Sequence, residues 1–362
     1  MRFPEFSGEW EIARLGDVCK FFSGGTPSST NKDFYDGDIP FIRSGEIHSN
    51  STELYITEAG LNSSSAKIVE QGDLLLALYG ATSGDIAISK IKGAINQAIL
   101  CIRTNHDNFF LKSCWEKHCE KLLQTYLQGG QGNLSAEIVK GIKMSFPSYL
   151  EQKKISGLLS LIEERISTQK KIIEDLKKLK DAIRCKYLSD QSWKEYKISD
   201  ISILGRGRVI GTTEISKQER PQYPVYSSQT SNNGILGYLD NYDFDGEYIT
   251  WTTDGANAGT VFYRKGRFNC TNVCGTIKVN ENIDAYFLSV VLQSATAKYV
   301  STNLANPKLM NNTMASIRVK LPDIDTQKYW SHILRHMDKK IETEFKYEKL
   351  LMIAAGILKA CL

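Results

Sequence analysis

Two stretches of this chain carry apolar residues at alternating intervals of four and three. The first runs Ile155, Leu159, Ile162, Ile166, Ile173, Leu176, Ile183 and Tyr187; the second runs Trp330, Leu334, Met337, Ile341, Leu351, Ala355, Leu358 and Leu362. That spacing is the heptad seam of a coiled-coil helix. Polar residues break it at Gln169 and Lys180, and at Glu344 and Glu348, and such breaks can fix register at some cost in stability. From Ile155 to Tyr187 there is no proline and one glycine, Gly157. A helix of that length makes a rod of roughly 50 Å, longer than the lobe before it should be wide. The two seams are therefore predicted to pair with each other, antiparallel, rather than each to lie on its own domain.

The rest of the chain has a different pattern. Short apolar and β-branched runs at 39–43, 74–79, 85–91 and 98–102 are separated by Gly, Ser, Asn and Asp clusters, and the same arrangement returns at 223–226, 247–252, 260–263 and 273–279. These predict strands joined by turns. A helical period follows each set, over 108–127 and 284–300, so each lobe is expected to be α+β.

The two sets are copies of one module. Trp10-Glu11 with Leu15-Gly16-Asp17-Val18 returns as Trp193-Lys194 with Ile198-Ser199-Asp200-Ile201. Gly80-Ala81-Thr82-Ser83-Gly84 returns as Gly255-Ala256-Asn257-Ala258-Gly259, and Leu134, Ile142, Pro147, Gln152 and Ile166 meet Leu309, Ile317, Pro322, Gln327 and Ile341 at a constant offset of 175. Because that offset is a whole number of heptads, both helices present the same stripe relative to their own lobe. The prediction is a pseudo-two-fold internal repeat.

Composition adds mainly exclusions. With 41% hydrophobic and 24% charged residues the chain reads as an ordinary folded protein. No apolar run approaches the roughly 20 residues needed to cross a bilayer, and Met1-Arg2-Phe3-Pro4-Glu5-Phe6 lacks the apolar core of a signal peptide, so a cytoplasmic protein without a membrane partner is expected. The eight cysteines are then reduced packing residues. Net charge is +4, unevenly spread. Residues 1–150 hold 14 basic against 17 acidic side chains and residues 191–325 hold 14 against 13, whereas 151–190 (10 against 7) and 326–362 (7 against 4) are each basic.

The common catalytic constellations are missing. Gly205-Arg206-Gly207-Arg208-Val209-Ile210-Gly211 has its third glycine misplaced for a dinucleotide loop. His332-Ile333-Leu334-Arg335-His336 lacks the glutamate of a helical zinc site and lies on the second long helix. Cys114, His118 and Cys119, like Cys270 and Cys274, are too few ligands for structural zinc. There is no phosphate-binding loop, no Gly-x-Ser-x-Gly elbow and no Pro-Pro. The chain is read as non-catalytic, without metal or cofactor of its own. Two similar lobes on a rigid spacer suit a bivalent reader of an extended ligand such as duplex DNA.

The order of parts resembles the specificity subunit of a Type I restriction-modification system. The resemblance rests on Phe3-Pro4-Glu5-Phe6 through Trp10 to Leu15-Gly16-Asp17, the loop Tyr79-Gly80-Ala81-Thr82-Ser83-Gly84, a helix opening at Pro147-Ser148-Tyr149-Leu150-Glu151-Gln152-Lys153-Lys154-Ile155, a second lobe from Trp193 and a second helix after Pro322. It covers nearly the whole chain. It implies two target recognition domains, 1–150 and 191–325, separated by two long helices, 151–190 and 326–362, that form an antiparallel coiled coil. It further implies reading of a bipartite, asymmetric DNA site, docking of two adenine methyltransferase subunits that bind S-adenosylmethionine, and recruitment of ATP- and Mg-dependent translocating endonuclease subunits.

Base contacts need side chains that donate and accept hydrogen bonds. The candidates are Arg43, Ser44, Thr82, Ser83, Asn96, Gln97, Gln131 and Asn133 in the first lobe, and Ser227, Ser228, Gln229, Thr253, Asn257, Asn272, Asn306 and Lys308 in the second. Each is equally suited to a turn. Asp254 beside Gly255 could accept from a cytosine amine but would repel phosphate, which leaves its role open. Two other readings stand: a coiled-coil adaptor whose lobes bind protein or carbohydrate, and a self-sufficient DNA-modifying enzyme.

Overall fold

In the computed structural model, residues 2–126, 134–187, 192–301, 306–360 and 362 are described. The chain divides into two compact units, one of residues 1–171 with 346–362 and the other of residues 172–345. Both long helices pass from one unit into the other.

In the first unit β1 (Glu11–Arg14), β2 (Cys19–Ser23), β3 (Tyr35–Ile42), β4 (Leu54–Ile56), β5 (Lys67–Val69), β6 (Leu74–Ala77), β7 (Ile86–Ile88), β8 (Gly93–Ile95) and β9 (Ile99–Thr104) lead into helix α1 (Asn108–Tyr126), and β10 (Lys143–Phe146) closes the lobe. They form two four-stranded sheets, β2-β9-β6-β7 and β4-β3-β8-β5, with a separate β1-β10 pair. Strand β6 is covered on both faces. Leu74 and Leu76 pack with Leu100, Ile102, Phe110 and Trp115, while Leu75 and Ala77 pack with Ile42, Ile95 and Cys101. Alternation with both sides buried explains its unbroken apolar run.

The second unit repeats this with fewer strands: β11 (Lys194–Lys197), β12 (Ser202–Arg206), β13 (Tyr223–Tyr226), β14 (Ile235–Leu239), β15 (Glu247–Thr252), β16 (Val261–Lys265), β17 (Asn269–Cys270) and β18 (Cys274–Val279), then helix α3 (Ala285–Ala295) and β19 (Arg318–Leu321). Its sheets β12-β18-β15-β16, β14-β13-β17 and β11-β19 match those of the first unit, including the parallel contact β13-β17 that answers β3-β8. Trp251 of β15 is fully buried, and its indole N–H donates to the Leu309 carbonyl at 2.8 Å. Every predicted strand falls on an observed one. The helix expected over 284–300 instead divides, continuing beyond Ala295 as a tighter turn over Thr296–Tyr299.

Helix α2 (Tyr149–Tyr187) and helix α4 (Ile324–Ala360) each start before their heptads do. A side chain at the same place in the repeat supports each opening turn. Ser148 Oγ accepts from the Glu151 N–H at 3.3 Å, and Asp323 Oδ1 accepts from the N–H groups of Asp325 and Thr326 at 3.1 and 2.9 Å. One turn on, a buried glutamine ties the helix to its lobe. Gln152 donates to the Pro147 carbonyl at 2.8 Å and accepts from the Asp107 N–H at 3.0 Å; Gln327 donates to Pro322 at 2.9 Å and accepts from Asp284 at 3.0 Å. Asp107 and Asp284 in turn cap the lobe helices, through Phe110 and Phe287, and take the hydroxyls of Ser156 and Ser331. With the glutamine shortened, buried donors and acceptors lose their partners at roughly 1–3 kcal/mol. Gln327→Ala should accordingly lower the denaturation midpoint of the second unit, read by urea titration of tryptophan fluorescence, with Gln152→Ala as its counterpart in the first.

The seam residues are buried or half-buried wherever their side chains are described: Ile155, Leu159, Ile162, Ile166, Ile173, Leu176 and Ile183 on α2, and Trp330, Leu334, Met337, Ile341, Leu351, Ala355, Leu358 and Leu362 after Pro322. Within the first unit the end of α4 lies along the start of α2, where Lys359 Nζ meets Glu163 at 2.9 Å and Glu116 of α1 at 2.6 Å. Within the second unit the start of α4 lies along the end of α2. There Lys180 pairs with Asp338, and Ile183 packs with Leu334, Met337, Tyr286 and Val290. The helices run antiparallel, as the seam predicts. The first seam turns do double duty, because Ile155 and Trp330 also pack on the cores of their own lobes.

Candidate nucleic-acid interface

The site is built on a loop that leaves the central strand of each lobe. After β6 the chain passes Gly80 and Gly84, with φ of 75° and 88°; after β15 it passes Gly255 and Gly259, with φ of 93° and 85°. Side chains rarely adopt these angles, so the glycines frame the loop. Its backbone bonds repeat one for one. Gly84 N–H donates to Ala77 at 2.9 Å and Leu134 N–H to Leu78 at 2.9 Å; Gly259 donates to Thr252 at 2.8 Å and Leu309 to Thr253 at 2.9 Å.

Around this frame the second-lobe candidates gather into one cluster. Asn257 Nδ2 donates to the Ser228 carbonyl at 3.4 Å, and the Ser227 and Thr271 hydroxyls lie 3.2 Å apart. The Gln229 amide is turned onto the Ile235 carbonyl. Lys308 Nζ stands 3.4 Å from Asp254, and Arg206 reaches the same carboxylate at 3.7 Å. Arg206 also donates to the carbonyl of exposed Asn272, while the Gly255 N–H donates to Pro307 beside exposed Asn306. Thr253 departs from the expectation: it is fully buried, has no surface to offer a ligand, and its hydroxyl accepts from Arg206.

In the first lobe Ser83 Oγ donates to the Leu78 carbonyl at 3.0 Å, and half-buried Thr82 precedes it. Asn96 Oδ1 accepts from the Ala98 N–H at 3.1 Å and exposed Gln97 accepts from the Thr26 hydroxyl at 2.6 Å. Arg43, next to half-buried Ser44, is held by two carboxylates, Glu46 at 3.1 Å and Glu53 at 2.5 Å. Although burial opposes it, hydrogen bonds from Arg43 and from backbone N–H groups bring the Glu46 carboxyl down to about 2. His48, in the same turn, contacts Asp85 at 2.9 Å and so joins that turn to the glycine-framed loop. Gln131 and Asn133 lie outside the described residues.

Sequence reasoning missed Arg206 as a site residue because it was read inside a glycine motif. The structure gives that motif another purpose: a Cβ on Gly207 would stand 2.2 Å from the Cys270 carbonyl oxygen, so the glycine permits backbone contact between strands. Gly24, after the matching strand β2, meets Ile95 in the same way, at 1.7 Å. It missed Arg264 as well. That buried side chain stacks 3.5 Å over the Tyr226 ring beneath the turn carrying Ser227 to Gly234, and its Nε donates to Thr250 at 3.2 Å. His332 and His336 sit exposed on α4, and among the described residues no group of three or more His, Cys, Asp or Glu is placed to hold a metal. No described helix is long and apolar enough to cross a membrane.

The chain thus holds two copies of one α+β lobe, each with a polar glycine-framed loop and each followed by a long helix. The chain belongs to the family of the Type I restriction modification DNA specificity domain, whose model matches residues 7–178 and 190–351. Among curated proteins of Mycoplasma pneumoniae it is 50% identical over 127 residues to a type I specificity subunit N-terminus, covering 35% of this chain and 67% of that one. To another type I specificity subunit it is 42% identical over 156 residues, a match spanning 43% of this chain and less than half, 42%, of that protein. In fold it is similar to the crystal structure of a Type I restriction-modification system S subunit from M. genitalium, with a TM-score of 0.71 at 15% identity over 99% of this chain and 98% of that one.

Proposed function

We propose that this chain reads a bipartite, asymmetric double-stranded DNA site in the cytoplasm, one half with each lobe, and brings two adenine methyltransferase subunits and the restriction subunits to it. Specificity subunits of this family are non-catalytic, so S-adenosylmethionine, ATP and Mg belong to the partners. One observation carries the reading: the two loops share a backbone frame, Gly84 to Ala77 and Leu134 to Leu78 answering Gly259 to Thr252 and Leu309 to Thr253, while the side chains on it differ, Tyr79, Thr82 and Ser83 against Asp254, Asn257 and Ala258. A common frame with different tips is what reading two unlike half-sites requires. Docking draws support from apolar side chains that the seam leaves outside, Leu158 and Leu161 on α2 and Leu350, Ile353 and Ile357 on α4.

Mapping of methylated adenines in cells that express the chain with an adenine methyltransferase subunit of a type I system tests this directly. The expected result is one motif made of two short, unlike halves separated by unread bases. A continuous motif, or methylation that persists without the chain, would count against it.

A further inference from the structure

Asp254 is the loop residue whose chemistry the fold alone does not explain. It immediately precedes Gly255, just as Tyr79 precedes Gly80 in the other lobe, at the repeat offset of 175. The frame presents both at the same place, yet one copy offers a phenol and the other a carboxylate. Asp254 Oδ1 lies 3.4 Å from Lys308 Nζ and Oδ2 lies 3.7 Å from Arg206 Nη2, with the Thr253 hydroxyl 3.4 Å away. None of these is the short bidentate contact of a structural ion pair. The two cations stand beside the carboxylate without saturating it, and 21% of the side chain is exposed.

A carboxylate in a surface that meets DNA repels phosphate, and on the base edges of the major groove it can accept only from an exocyclic amine, N4 of cytosine or N6 of adenine. Arg206 and Lys308 offset that repulsion, and they are long enough to move toward phosphates when a base amine takes their place. We propose that Asp254 is a specificity-determining residue of the second lobe, accepting a hydrogen bond from a cytosine or adenine amine, with Arg206 and Lys308 balancing its charge. This rests on the reading of that lobe as a reader of one half-site.

The test uses the full chain with its methyltransferase and duplexes carrying the mapped site, each base pair of both halves replaced in turn. Asp254→Asn keeps the shape but presents a donor as well as an acceptor. Discrimination at one position of one half-site should fall about ten-fold or more, while every position of the other half stays as in the wild type. Affinity for random duplex should rise, with a steeper salt dependence as the two cations turn to phosphates. Tyr79→Phe serves as the reciprocal control and should leave the half affected by Asp254→Asn untouched. A merely structural ion pair predicts equal weakening at all positions, and that result would overturn the proposal. If wild-type discrimination survives intact in Asp254→Asn, the role of Asp254 falls alone; if the wild type shows no site preference, the reading of the lobes falls with it.

Discussion

Exchange of residues 1–150 for the same lobe of another specificity subunit is expected to rewrite one half of the methylated site and leave the other half unchanged. The physical ground is that the first lobe supplies almost its entire core itself: Leu74, Leu76, Leu100, Ile102, Phe110 and Trp115 on one side of β6, Leu75, Ala77, Ile95 and Cys101 on the other. Toward the long helices it depends on a short set of groups: the Asp107 cap held by Gln152 and Ser156, the contact of the core with Ile155, the pair of Arg2 with buried Glu151 and the pair of Glu116 with Lys359. A junction at 150 leaves Glu151, Gln152, Ile155 and Ser156 in place, so an incoming lobe needs an aspartate at the same helix cap, a cation where Arg2 meets buried Glu151 and a carboxylate where Glu116 meets Lys359. Each wrong base pair costs about 1–3 kcal/mol, so a half-site of three or four pairs should switch by at least about a hundred-fold. Sequencing of methylated adenines checks this. An unchanged motif, or the loss of both halves together, would refute independent half-site reading.

The duplication was legible in the sequence. Repeat offset, seam phase and strand runs all survive in side-chain type, since each is fixed by burial: Gln152 and Gln327 match because each satisfies the same buried bonds. The second sheets were less visible. β4, β5 and β8 are three residues each, too short to show alternation, and β17 is two. The site was the least legible part. Polar type singled out Asn257, Asn306 and Lys308, which do gather around one loop, yet it could not tell buried Thr253 from them. Arg206 and Arg264 escaped because what marks them is their surroundings, a shared carboxylate and a stacked tyrosine, and both partners are distant in sequence.

Charge placed on the outer face of α4 should separate folding from assembly. Leu350, Ile353 and Ile357 are 62%, 49% and 57% exposed and recur at intervals of three and four, so they form one stripe turned away from the seam residues Leu351, Ala355 and Leu358. An exposed apolar stripe of this kind is a surface for another protein. Replacing all three with Glu is expected to leave the thermal midpoint nearly unchanged, because exposed positions contribute within about 0.5 kcal/mol each, and to weaken co-purification with the methyltransferase by at least a hundred-fold. Ile166 and Ile341 give the opposite signature, being seam residues. Asp at both places an unpaired charge against the partner helix, so stability should fall first and docking only as its consequence. A triple-Glu chain that still assembles at full strength would move the docking surface elsewhere. A triple-Glu chain that unfolds would show that the stripe belongs to the fold.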